Sequence, residues 1–234
     1  MMRSGLAAVA GCVLFLAGCS GGSDSSNAQG ALVGDFVKIL IAQRAEPAPI
    51  PQLTPELIAG LTVSSLEVFI ENTGATAFLV PLSNRRDGGP GALRTWRTGD
   101  NSQVTLRQGV LVNTRGIGGD LGSTQANAAV RAIQSRSPIS GPHTLFFTNG
   151  DNGTTRVDLS CEMRAIGNET IEIVQRKFNV LHLQENCSGT RENITYDYWV
   201  DRRDSTVWQT RQWAGPGIGS VSYTHLTLPT IYSV

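Results

Sequence analysis

Between residues 156 and 165 the chain alternates strictly. Val157, Leu159, Cys161, Met163 and Ala165 are apolar, whereas Arg156, Asp158, Ser160, Glu162 and Arg164 are polar or charged. Successive side chains of a strand point to opposite faces, so a period of two describes a strand with one dry face and one wet face. Cys161 falls on the dry side. A strand of this kind needs partners, and strand-like runs follow at Glu169 to Arg176, Phe178 to Gln184, Ile194 to Val200 and Val207 to Trp213. Upstream, Val63 to Glu71 and Ala75 to Leu82 flank Asn72-Thr73-Gly74, a hairpin turn by composition. A polar loop from Ser83 to Gly91 leads to further strands around Leu93 to Thr98, Gln103 to Arg107 and Val110 to Asn113. The pattern predicts a mainly β fold: a curved, largely antiparallel sheet or half-barrel-like domain with short covering helices.

Helical spacing is confined to a few segments. Leu32, Val33, Phe36, Val37, Leu40 and Ile41 predict an amphipathic helix from Leu32 to Ala45, and Pro47, Pro49 and Pro51 enforce an extended connector after it. Thr54-Pro55-Glu56 can restart a short helix, with Thr54 as cap and Pro55 at its first position, before Gly60 ends it. Gln125 to Ser135 is a second short helix with Thr124 as cap and Ala128, Ala129 and Ile133 inward. Gly116-Ile117-Gly118-Gly119 reads as a bend, since it lacks the lysine of a phosphate-binding loop.

The N-terminus carries Arg3, an apolar run from Leu6 to Leu16, and then Leu16-Ala17-Gly18-Cys19. The run is short for a membrane span, and small residues before a cysteine resemble the bacterial lipobox, whose cysteine receives a diacylglycerol and usually a further acyl group such as palmitate. Cys19 is therefore the expected lipidation site; the alternative is an uncleaved N-terminal anchor. Two or more acyl chains suffice for stable anchoring. Ser20 to Gly30, nearly all Gly, Ser, Asn and Asp, reads as a tether. The organisation expected is a signal peptide at 1–18, a flexible tether at 19–30 and a single β-rich domain at 31–221. Ser222 to Thr230 resembles a peptide produced by translating sequencing-adapter read-through, so 222–234 is expected to be a non-native tail, although its alternation would permit an edge strand. Serine after Cys19 favours the outer membrane, periplasmic face.

Formal net charge is +0, with acidic and basic residues interspersed, so composition offers no reason for nucleic-acid binding. Of four cysteines, Cys12 lies in the signal and Cys19 at the anchor, leaving Cys161 and Cys187. In an oxidising compartment they read as one disulfide; a thiol or metal site is the alternative, but no CxxC pair or His/Cys cluster completes a zinc set.

Candidates for acid–base or metal chemistry are His143, His182, Asp151, Asp158 and Glu162, and no spacing brings a convincing subset together. There is no Gly-x-Ser-x-Gly elbow. The expectation is a non-enzymatic protein without cofactor or metal, its histidines satisfied at or near the surface; an enzyme would bring His143 or His182 together with carboxylates in a pocket. Trp96, Tyr196, Tyr198, Trp199, Trp208 and Trp213 suit either a sheet core or a surface on which sugars stack. Strand parity separates Trp199 from Tyr196 and Tyr198. Trp96, Trp199, Trp208, Arg211 and Trp213 are the candidate glycan or partner contacts.

Trp96-Arg97-Thr98-Gly99-Asp100, followed by Gln108 to Ile117, resembles the paired central segments of YjbF/GfcB-type lipoproteins. Tyr198-Trp199-Val200-Asp201 and then Val207 to Gly217 are similar to that family's aromatic-valine-aspartate hairpin and its following Arg-Gln strand. The resemblance implies a half-barrel-like antiparallel sheet and a role in exopolysaccharide or group-four capsule secretion, exercised through secretion proteins of the envelope. It brings no catalytic motif. Cys161 and Cys187 depart from members with fewer cysteines, and after Val221 the sequence departs from the family's expected last strand.

Overall fold

The alternation at Val157 to Ala165 is realised in a strand of twenty residues, β8. A computed structural model describes residues 53–61, 63–117, 119–148, 150, 153–191 and 193–226. The signal, the lipobox, the tether and the helix expected at Leu32 to Ala45 lie outside the described residues. In chain order the elements are α1 (Pro55–Ala59), β1 (Leu66–Ile70), β2 (Ala75–Arg85), β3 (Leu93–Arg97), β4 (Gln103–Arg107), β5 (Val110–Arg115), β6 (Leu121–Gln125), α2 (Asn127–Ser135), β7 (Gly141–Thr148), β8 (Thr154–Ile173), β9 (Arg176–Ser188), β10 (Asn193–Asp201), β11 (Val207–Trp213) and β12 (Ser220–His225).

All twelve strands form one antiparallel sheet in the order β5-β4-β3-β2-β1-β12-β11-β10-β9-β8-β7-β6. The sheet curls until its two ends meet. There, side chains replace the backbone ladder: Asn113 Nδ2 donates to the carbonyls of Leu121 and Gly122 at 3.0 and 2.9 Å, and Leu121 N–H donates to Thr114 Oγ1 at 2.9 Å. The result is a nearly closed barrel, as the sequence pattern led one to expect.

Its interior is a packed core, not a lumen. Leu66, Leu79, Trp96, Leu121, Leu145, Leu183, Tyr196, Tyr198 and Val221 fill it, and α2 adds Ala129, Val130, Ala132 and Ile133. Gln212 of β11 reaches across to β5, accepting from Leu111 N–H at 2.8 Å and donating to the Gly109 carbonyl at 2.8 Å. At Gly109 (φ +87°) a Cβ would stand 2.6 Å from Val207 Cγ2, so only glycine lets the β4–β5 turn lie against β11.

A second, smaller core lies on the outer face, where Ile58 of α1 packs with Phe78, Ile173, Phe178, Val180, Trp208 and Leu226. Thr54 caps α1, accepting from Leu57 N–H, and Pro55 opens it, as expected. A bulge between Ala165 and Gly167 reverses the parity of β8. Leu159, Cys161 and Met163 therefore face the inner core, whereas Ile171 and Ile173 join the outer one.

Several expectations are corrected. Glu169 to Arg176 is not a separate strand but the far end of β8 with the start of β9, joined at Val174-Gln175. Thr124 does not cap α2: it pairs with Leu145 inside β6, and the helix begins after Ala126, which offers no side-chain cap. Residues 222–225 form an interior strand rather than an edge strand, with Tyr223 opposite Val68 on one side and Thr210 on the other.

Candidate functional site

Cys161 and Cys187 are directly opposed on β8 and β9, with Cα atoms 4.0 Å apart, and form a buried disulfide. His143 and Glu185 lie beside it; the donor atoms of all four residues fall within 4.8 Å of one another. With the two sulfurs bonded to each other, one imidazole nitrogen and one carboxylate remain, too few for a structural zinc site. The sequence placed His143 at or near the surface, but on the inner face of β7 it is completely buried. Its Nδ1 lies 3.3 Å from Glu185 Oε2, which also accepts from the Tyr198 hydroxyl at 3.3 Å, and its ring stacks on Tyr196 at 4.8 Å. Burial, and then the Glu185 charge, pushes both tyrosine hydroxyls well above their ordinary titration range, so both stay neutral; Tyr198 donates to Glu185, whereas the buried Tyr196 hydroxyl has no hydrogen-bond partner among the described residues.

The opposite face of the same strands carries a polar stripe. Parity turns Tyr196 and Tyr198 inward, which sends Asp197 and Trp199 outward. His182 of β9, facing Trp199 across the ladder, stacks on its indole at 4.6 Å. The ring sits between two carboxylates: Nδ1 is 2.8 Å from Glu169 Oε1 and Nε2 is 2.8 Å from Asp197 Oδ1. Each ring nitrogen thus faces a carboxylate on a different strand. Gln184 also donates to Asp197, and the Trp199 indole N–H donates to Glu169 at 3.0 Å. On the neighbouring strand Arg211 holds Glu71 through two hydrogen bonds of 2.6 and 2.7 Å. Asp158 and Glu162 are on the wet side of β8 as expected, each paired with the arginine two residues away.

The five candidate contacts thus divide. Trp96 and Trp208 are core residues, which corrects their candidacy as surface contacts: Trp96 packs against His225 inside the sheet, and Trp208 packs on Phe178 while donating to Asp201 Oδ2 at 2.9 Å. Trp199 and Trp213 are half-buried and Arg211 is half-exposed. The stripe also holds Glu169, Gln184 and Asp197, which no sequence motif marks. Asp197 could have been found from its alternation with Tyr196 and Tyr198; the bulge conceals the parity of Glu169.

Two open clefts lie at opposite ends of these strands. One, of about 510 Å3, borders the stripe at Glu169 and is lined by Asn168, Lys177, Phe178, Asn179 and Arg202 among others. The other, of about 560 Å3, is lined by Trp213 and Phe147 with Arg156, Asp158, Thr190 and Arg191.

A family model described as group 4 capsule polysaccharide lipoprotein gfcB, YjbF, matches residues 34–226. The chain belongs to the YjbF family. Its barrel is similar to the crystal structure of the hypothetical lipoprotein YmcC from Escherichia coli, with a TM-score of 0.66 and 22% identity over 84% of this chain and 95% of that one. An exported protein with a YmcC-like fold from Bacteroides fragilis is more distant, with a TM-score of 0.35 and 10% identity over 69% of this chain and 92% of that one. No curated protein matches the chain. YjbF membership links the chain to capsule and exopolysaccharide secretion and agrees with a lipoprotein on the periplasmic face of the outer membrane.

Proposed function

We propose that this YjbF-family chain is a non-enzymatic outer-membrane lipoprotein that assists capsule or exopolysaccharide secretion through protein partners of the envelope. The observation that carries this reading is the filled interior. Tyr196, Tyr198, Leu183 and the Gln212 bridge occupy the space that a polymer would need, so the domain works from its outer surface and not as a conduit. The histidines support a non-enzymatic role. His143 is sealed in the core, and both ring nitrogens of His182 face carboxylates of the same chain, which leaves neither free to exchange a proton with a substrate. Cys19 is the proposed anchor, with Ser20 to Gly30 supplying reach. Deleting the chain should lower surface and released polysaccharide under conditions that express the secretion genes; unchanged amounts would overturn the reading. Cys19→Ser should move the protein from the membrane fraction to the soluble one.

A second reading, direct contact with the polysaccharide, is favoured by the half-buried Trp213, which lines an open cleft with polar and cationic neighbours. Titration of purified full-length protein with the polymer of its own strain tests it: saturation supports contact, and none removes this reading while leaving the scaffold role intact.

A further inference from the structure

We propose that the cleft at Trp213 is a subsite for an acidic saccharide unit. The inference rests on the second reading above and gives it a place and a ligand class.

The cleft gathers residues from three strands and one turn at one rim of the barrel: Phe147 lies near the end of β7, Arg156 and Asp158 near the start of β8, Arg191 in the β9–β10 turn, and Trp213 ends β11. Its volume of about 560 Å3 falls within the range of small-ligand sites, roughly 300 to 1,000 Å3. The indole is held in place. Phe147 meets it edge to face at 5.5 Å, and Phe147 itself packs into the turn after β11, where a Cβ on Gly215 would come within 2.7 Å of its ring. The turn is fixed by Ala214 N–H donating to the Gly219 carbonyl and Gly219 N–H donating to the Gly215 carbonyl, both at 2.8 Å. A half-exposed aromatic plane fixed in this way suits the C–H face of a pyranose, with little ordering left to do on binding.

Charge selects the class. Arg156 and Asp158 neutralise each other through hydrogen bonds of 3.0 and 2.8 Å. Arg191 has no carboxylate partner among the described residues, so the cleft that Trp213 lines also carries a cation unpaired among them, next in sequence to Thr190. A guanidinium in that position matches a carboxylate, as on a uronate. The cleft at the other end lacks this combination: its aromatic residue, Phe178, is buried, packed on Trp208 at 4.0 Å and with the Arg176 guanidinium 5.6 Å from its ring.

The test titrates the full-length lipoprotein, in detergent micelles, with tetragalacturonate and with neutral maltotetraose. Saturable binding of the acidic probe, roughly tenfold tighter than of the neutral one, is expected. Trp213→Ala should weaken the acidic probe roughly tenfold, with Trp213→Phe recovering part of the loss. Arg191→Gln should abolish the acidic preference while leaving the thermal melt unchanged. No saturable binding, equal affinity for the two probes, or binding indifferent to both substitutions overturns the proposal. Polysaccharide output of strains carrying the variants separates the two readings: an Arg191→Gln chain that fails to bind but restores secretion to a deletion strain refutes a need for the subsite and leaves the secretion role standing.

Discussion

Gln212 and Leu111, separated by 101 residues, are joined by a buried hydrogen bond of 2.8 Å from the Leu111 amide to the Gln212 side-chain oxygen. The other end of the same side chain donates to the Gly109 carbonyl and to Thr210 Oγ1. One side chain thus satisfies an amide of β5 and a carbonyl of the β4–β5 turn, and it ties the end of the sheet to its middle.

Gln212→Leu, close in volume, should strand both the Leu111 amide and the Gly109 carbonyl. Each buried polar group left unpaired costs about 1 to 3 kcal/mol. Urea unfolding should show a loss of roughly 3 kcal/mol, and a variant as stable as the parent would show that the bridge does not hold the barrel closed.

Gly109→Ala should be worse tolerated than an ordinary turn substitution. The position has φ +87° and faces Val207 at 2.6 Å, so backbone strain and overlap act together. A loss of about 2 to 4 kcal/mol is expected. Adding Val207→Ala should recover the part due to overlap and leave the part due to the backbone, which the double-mutant cycle measures directly.

Removing the disulfide as Cys161→Ala with Cys187→Ala frees a loop spanning a sequence separation of 26. Chain entropy predicts a loss of roughly 3 to 4 kcal/mol. Calorimetry with and without dithiothreitol checks it: reductant should lower the melting temperature of the parent and leave that of the double variant unmoved.

Acidification should weaken the fold through His225. Burial, reinforced by the nearby Arg94 charge, brings its imidazole down to about 4. An unfolded histidine titrates near 6.5, so between those values the unfolded chain binds more protons than the folded one. Stability is therefore fully present above about pH 6.5, falls as pH drops, and the loss is complete once pH passes below about 4, amounting to something on the order of 3 kcal/mol. His225→Asn should flatten the profile in that window; an equally steep profile in the variant would assign the proton uptake elsewhere.

The strand content was legible because Val157 to Ala165 and the segments around Tyr196 and Val207 show their alternation openly. Three features were hidden for distinct physical reasons. The hairpin tip at Val174-Gln175 has φ values of 47° and 62°, a conformation in which glycine and asparagine are usual and a β-branched residue is rare, so composition gave no turn signal. β6 reads Leu121-Gly122-Ser123-Thr124-Gln125, with no apolar face to reveal a strand. The polar stripe depends on the bulge at Ala165/Gly167, which brings Glu169 to the face occupied by His182 and Trp199, and a shift of one residue in register has no local signature. The division of the tryptophans was half visible: parity set Trp199 apart from its tyrosine neighbours, but the burial of Trp96 and Trp208 depends on strands far away in the chain.

The seam between β5 and β6 bears on how such a protein behaves when many copies share one membrane. An open sheet would offer each neighbour a row of free amides and carbonyls, and confinement to two dimensions would favour end-to-end polymerisation. Here Asn113 and Thr114 occupy the carbonyls of Leu121 and Gly122 and the amide of Leu121 from within the same molecule. Copies crowded in a plane therefore find fewer free backbone groups along this seam than the edge of an open sheet would offer for pairing.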